Sequence, residues 1–277
     1  MKINLAISPC PNDTFMFYGL LHEKSINTIF DIDYTFADIE ELNKLAIEEE
    51  IDVCKISYNA YPLVAEKYQI LDSGSALGRN CGPLLIAKNK ISENRFSKIT
   101  VAIPGKNTTA NFLLRYAYPQ IHKKEEVLFS EIENAVLNNK YDGGLIIHEN
   151  RFTYQAKGLI KIMDLGEFWE KSTGHPIPLG CIVVKRTLPE EIKKMLSQAI
   201  KSSIEYSYTF PDSSKGFVQE NAQEMDSLVM QNHINLYVNK FSISLGEEGK
   251  NAVIHLFREK MKQENKNFAL DNTFVGN

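Results

Sequence analysis

Cysteine is scarce in this chain, with four residues in 277, and the four are scattered at Cys10, Cys54, Cys81 and Cys181. No two have C-x-x-C spacing, and no histidine stands where it would complete a metal-ligand set. We therefore expect separate reduced thiols and no bound metal. Long apolar runs are missing too, and nothing approaches the roughly 18 residues of a membrane span. The segment Met1–Phe15 reads MKINLAISPCPNDTF. About six residues precede its polar, proline-rich part, too few for the apolar core of a secretory signal. Cytoplasmic location without a membrane partner is the expectation. A basic stripe is also lacking: 31 Lys and Arg are interspersed with 35 Asp and Glu, for a net charge of −4. That balance argues against a nucleic-acid partner.

What is present is an ordinary globular composition, 43% hydrophobic and 24% charged, in a chain longer than one hydrophobic core usually serves. Residues 3–8, 31–37 and 52–57 read as short apolar strands. Between and after them lie helices from Asn12 to about Lys24, over 38–50 with Asp38 and Glu41 as a capping box, and over Tyr58–Tyr68. Asn12 and Asp13 look like the cap pair of the first helix. This β-α-β-α-β series implies a parallel sheet covered by helices.

A similar series restarts beyond a charged connector at 89–98. Strands are expected at 83–88, 99–104, 126–130, 143–148 and 159–166, and helices at 108–119 and 131–140. After a strand at 180–186 the chain turns all-helical, beginning with 189–208, where Pro189 suits a first helical turn. Two or three more amphipathic helices follow. The pattern fits an α/β, two-lobed binding-protein fold with a helical tail. Lobe one would comprise residues 1–88 and 182–277, lobe two 89–181, with ligand between them at the carboxyl ends of the strands. A single doubly wound domain remains the alternative.

The strand-to-helix junctions carry the candidate chemistry. After the first strand come Ser8, Pro9, Cys10, Pro11, Asn12, Asp13 and Thr14, more polar groups than one helix cap requires. Lys55, Ile56 and Ser57 end the third strand. An ammonium there is too costly to bury unpaired, so Lys55 either forms a salt bridge or faces an anionic ligand. Ser57 has the simpler reading of a helix N-cap. In the second series Thr108, Thr109 and Ala110 open a helix whose hydroxyls and backbone N–H groups suit a carboxylate or hydroxyl. The neighbouring Gly105-Lys106 lacks the spacing of a phosphate loop. His148 then ends a strongly apolar strand beside Glu149, and an imidazole at that place suits proton abstraction. His175 lies in a proline-rich return crossing at 174–180. His22, His122, His233 and His255 read as surface or packing residues.

The strings SPCPNDTF (8–15), KISY (55–58), NTTA (107–110), IIHENRF (146–152) and GHPIPLG (174–180) together resemble the 1,4-dihydroxy-6-naphthoate synthase family of the futalosine route to menaquinone. The resemblance runs in order over roughly residues 3–186 and leaves the tail without a matching motif. It implies the two-lobed periplasmic-binding-protein-like (type II) fold. It also implies a carbon–carbon lyase acting on cyclic dehypoxanthinyl futalosine, a small-molecule carboxylate, without a metal or organic cofactor. By family motif His148 matches the proton acceptor, and the Lys55–Ser57 and Thr109–Ala110 segments match substrate contacts. A non-catalytic small-anion binding protein and the sister chorismate-dehydrating enzyme are the rival readings. Whether Cys10, Glu149 or His175 touches substrate is left open, as is the oligomeric state.

Overall fold

The structure, a computed structural model, describes residues 1–222 and 226–276. In chain order it places β1 (Lys2–Ile7), α1 (Pro11–His22), β2 (Asp31–Phe36), α2 (Ile39–Ile47), β3 (Val53–Ser57), α3 (Tyr61–Val64), β4 (Tyr68–Ile70) and β5 (Ala76–Gly78). Next come β6 (Leu84–Ala87), β7 (Thr100–Ile103), α4 (Thr109–Ala117), β8 (Lys123–Glu126), α5 (Ile132–Leu137), β9 (Gly143–Ile146), α6 (Asn150–Thr153), β10 (Ile160–Asp164) and α7 (Leu165–Thr173). The last strand is β11 (Ile177–Lys185), followed by α8 (Glu190–Thr209), α9 (Pro211–Asn221), α10 (Ser227–Tyr237), α11 (Lys240–Ile243) and α12 (Gly246–Glu264).

These elements form two compact units, one of residues 1–78 with 178–277 and one of residues 79–177. The first contains a sheet of order β2-β1-β3-β11-β4, with β5 on β11. Its β1 runs parallel to both β2 and β3, as the β-α-β pattern implies, while β11 is antiparallel to β3 and β4. The second unit holds a sheet of order β10-β6-β9-β7-β8. Two separate sheets exclude the single doubly wound domain.

Several local expectations differ from what forms. The expected division at 88/89 falls after β6, yet β6 hydrogen-bonds to β9 and β10 and so belongs to the second sheet. The strand expected at 126–130 instead ends at Glu126, because β8 is held in parallel register by Thr100–Ile103, and Phe129–Glu131 is a 3-10 turn. Tyr58–Tyr68 divides into the one-turn α3 and the strand β4. The proline-rich crossing becomes strand from Ile177 onward, since both its prolines and Gly174 sit at its start. Pro189 is the N-cap residue of α8 rather than its first helical residue.

The tail is part of the first core rather than an appendage. Ile3, Leu5 and Ile7 of β1, Phe15, Met16, Phe17 and Leu20 of α1, Leu196, Ile200 and Ile204 of α8, and Met230 and Ile234 of α10 are buried in one cluster. Each such side chain contributes about 1.5–3 kcal/mol on burial, so removing the tail would uncover one face of α1. Gly19 permits the close α1–α8 crossing, for a Cβ there would lie 3.1 Å from the Cα of Ser203. At that crossing Ser203 Oγ donates to Met16 O at 2.7 Å and Ser207 Oγ to Phe15 O at 2.8 Å. The second unit has its own core of Leu84, Ile86, Ala102, Ile132, Val136, Ile146, Tyr154 and Leu159. No helix among the described residues is long and apolar enough to cross a membrane.

Candidate functional site

Parallel pairing decides which junctions meet within each unit. In the first sheet Leu5 pairs with Val53 and Ala6 with Cys54, so the segment after β1 and the end of β3 share one edge. Asp13 and Lys55 meet there. Lys55 Nζ lies 2.9 Å from Asp13 Oδ1, and the two side chains are 5% and 1% exposed. A second bond runs from Lys55 Nζ to Gly74 O at 3.3 Å. Of the two roles open to Lys55, the salt bridge is the one formed.

Asp13 is saturated by donors besides Lys55. Its Oδ2 accepts from Ser8 N at 3.3 Å and Ser8 Oγ at 2.9 Å, and its Oδ1 accepts from Asn12 Nδ2 at 2.8 Å. Asn12 and Asp13 are therefore not the caps of α1, whose N-cap position belongs to Cys10. Both point inward because they are buried in the first helical turn, where tertiary partners outcompete local capping. Thr14 Oγ1 donates back to Cys10 O at 3.1 Å and Pro11 O at 3.3 Å, inside its own helix. Ile56 is fully buried core. Ser57 is the last residue of β3 rather than a helix cap. It is tied to Asn43 of α2, whose Oδ1 accepts from Ser57 N at 2.8 Å and whose Nδ2 donates to Ser57 Oγ at 3.3 Å.

One member of this cluster escaped the sequence. His233 of α10 is fully buried, and its Nε2 lies 2.8 Å from Asn12 Oδ1. Nothing near His233 in the chain signals this, since its partner is 221 positions away. The imidazole also packs 4.7 Å from the ring of Tyr237, one helical turn on.

In the second unit β9 runs parallel to β7, with Val101 opposite Gly143 and Ala102 opposite Gly144. The β7–α4 and β9–α6 junctions consequently open on the same edge of that sheet. Thr108 caps α4: its Oγ1 accepts from Asn111 N at 3.3 Å and donates to Gly105 O at 2.8 Å. Thr109 and Ala110 are the first two helical residues and are buried. His148 is not on the strand but in the turn beyond it, with φ at 61°. A left-handed backbone at a non-glycine residue is uncommon and is kept only where neighbours impose it. The ring meets the edge of Phe129 at 5.0 Å between centroids and 79° between planes. Glu149, directly after it, is buried. His175 sits behind the left-handed Gly174, with its N–H donating to Thr173 Oγ1 at 3.2 Å.

Arg151, also unremarked in the sequence, holds this turn. Its guanidinium donates to Gly82 O, to Asn80 O at 3.1 Å and to Asp164 Oδ2 at 2.6 Å. Asp164 Oδ1 in turn caps α7 by accepting from Gly166 N and Glu167 N, each at 3.0 Å. A planar fork spanning three acceptors fixes the α6 turn to the starts of β6 and α7. Lys157 Nζ adds a 2.6 Å bond to the buried Glu133 of α5.

The two-unit α/β fold is that of periplasmic-binding-protein-like proteins. It superposes on the ligand-binding component of an ABC-type import system from Staphylococcus aureus with a TM-score of 0.72, at 12% identity, covering 99% of this chain and 96% of that one. A protein from Archaeoglobus fulgidus matches more closely, at TM-score 0.89 and 32% identity over 95% of this chain and 98% of that one. The chain belongs to the menaquinone biosynthesis family, whose profile matches residues 3–262. Two members described as 1,4-dihydroxy-6-naphtoate synthase are similar over nearly the whole length. The Thermus thermophilus protein is 40% identical, covering 93% of each chain, and the Streptomyces coelicolor protein 42% identical, covering 91% of this chain and 90% of that one.

Proposed function

We propose that this protein is a carbon–carbon lyase that converts cyclic dehypoxanthinyl futalosine to 1,4-dihydroxy-6-naphthoate and dihydroxyacetone, with His148 as general base. The observation that carries this is the near full-length identity to two synthases of that product. His148 adds a chemical reason, as an imidazole in a strained, braced turn at the sheet edge it shares with Thr108–Ala110.

The substrate carries a carboxylate, hydroxyls and a ring joined to a sugar-derived fragment. Breaking that bond requires proton removal from an acidic position, followed by eliminations that aromatisation drives. A positioned base contributes typically about 10²–10⁴-fold to such a step. We assign substrate contacts to Asn12–Thr14, Lys55–Ser57 and Thr108–Ala110. Lys55 enters this reading as half of a neutral pair with Asp13, so it orders the strand end more than it attracts an anion. No step is assigned to a metal or organic cofactor, and the cytoplasm is the compartment this biosynthetic role suits.

The test is incubation with the cyclic substrate and chromatographic detection of dihydroxynaphthoate. Turnover by the wild type and none by a folded His148→Ala variant are expected. A wild type at background sinks the function, and an active His148→Ala variant sinks the role of the base.

A further inference from the structure

We propose that His233, on tail helix α10, is a positioning residue for the Lys55 end of the candidate site, acting through Asn12 and Asp13. The inference rests on the reading above, in which Asn12–Thr14 and Lys55–Ser57 contact substrate.

The argument begins with the amide of Asn12, which has a donor end and an acceptor end. An ionised carboxylate only accepts, so the end facing Asp13 Oδ1 at 2.8 Å must be Nδ2. The end facing His233 is then Oδ1, an acceptor, at 2.8 Å from Nε2. His233 therefore carries a hydrogen on Nε2, in the neutral or the cationic ring alike. A directed chain results: His233 Nε2–H to Asn12 Oδ1, Asn12 Nδ2–H to Asp13 Oδ1, and Lys55 Nζ to the same carboxylate oxygen at 2.9 Å. Every link is buried.

Without the imidazole donor, the Asn12 carbonyl loses its partner and the amide is released to rotate. Turned over, it would present an oxygen to Asp13, which repels where it had donated. Asp13 holds both Lys55 and the Ser8 turn, so the disturbance reaches both. A purely structural role would not call for so polar a chain, because apolar residues of similar volume are often as stabilising as buried ionic groups. The chain reaches Lys55 and the Ser8 turn, and Lys55 Nζ continues it to Gly74 O at 3.3 Å.

The experiment compares His233→Gln, whose amide Nε2 can occupy the place of the imidazole donor, with His233→Leu. Both are assayed below the temperature at which circular dichroism shows unfolding. We expect His233→Gln to keep kcat and KM close to wild type, and His233→Leu to raise KM about tenfold or more while kcat changes little. A folded His233→Leu enzyme with wild-type KM overturns the proposal, as does activity lost only in proportion to folded protein. Crystal structures of both variants make the test independent of turnover. The Lys55–Asp13 contact should open in His233→Leu and persist in His233→Gln. If it stays at its present distance in His233→Leu the inference fails, whatever the activity shows. An inactive wild type with an opened contact in His233→Leu refutes the lyase reading alone.

Discussion

Breaking the Asp13–Lys55 pair should cost more from one side than from the other, and the structure sets the order. The ions are 2.9 Å apart with side chains 5% and 1% exposed, so neither can turn to water when its partner is removed. Stranding one charge of a buried pair typically costs about 3–5 kcal/mol. Lys55→Met strands Asp13, but that carboxylate keeps Ser8 N, Ser8 Oγ and Asn12 Nδ2 as donors, which puts the loss near 3 kcal/mol. Asp13→Leu leaves the ammonium with Gly74 O at 3.3 Å and strips Ser8 and Asn12 of their acceptor, so the loss moves toward about 5 kcal/mol. The double variant removes both charges and should be milder than Asp13→Leu alone. Urea unfolding followed by circular dichroism, with unchanged slope, measures all three. Losses below about 1 kcal/mol for both single variants, or strict additivity in the double, would refute the reasoning.

Arg151→Ala removes the donor shared by Gly82 O, Asn80 O and Asp164. It should destabilise by about 1.5–3 kcal/mol. Arg151→Lys should recover only part of this, because the three donors of an ammonium radiate from one atom and lack the planar spread of the guanidinium fork, and an unchanged urea midpoint for Arg151→Ala would count against the clamp. Burial pushes the thiol of Cys81 up to about 12, and raises those of Cys54 and Cys181 further. A raised value keeps the thiol protonated, hence unreactive, until the pH approaches it. At pH 8 a thiol reagent should therefore modify the partly exposed Cys10 first, and the other three only as the fold opens; rapid labelling of all four in native protein contradicts this. Gly82→Ala would set a Cβ 2.3 Å from Gly166 Cα and 2.5 Å from Gly166 N. Backbone on both sides cannot yield cheaply, so a loss of about 1–3 kcal/mol or more is expected. A melting temperature equal to wild type would show that β6 and α7 can separate there.

The fold was legible because its main signals are local. Apolar runs at 3–8, 52–57 and 143–148 became β1, β3 and β9, and the alternation with helices implied the parallel pairings now seen. Misreadings fell where a strand's partner decides its limits. β8 stops at Glu126 because β7 supplies pairing only that far, and β6 joins the second sheet through β9 and β10. For β6 those partners lie more than one strand further along the chain. The site divides the same way. Thr108 reads from its own neighbours as the opening of a helix, and it stands one residue before α4 as the N-cap. Asn12 and Asp13 read equally well as caps but are not, because burial offered them stronger partners.

The tail shows why motif reading ends where it does. A motif is a run of neighbours, and the residues after 190 present none, yet α8 and α10 complete the first core. His233 reaches Asn12, 221 positions earlier, and Ser203 reaches Met16 and Leu20. Each is an unremarkable residue whose meaning lies in a partner that folding alone supplies. The same holds for Arg151, which stands inside a quoted motif but acts on Asn80, Gly82 and Asp164. Side chains that work at strand ends leave a local trace, because strand and turn are both local. Side chains that hold those strand ends in place are drawn from wherever the chain returns. The second group is found by following buried hydrogen bonds outward from the first, which is the route from Lys55 through Asp13 and Asn12 to His233.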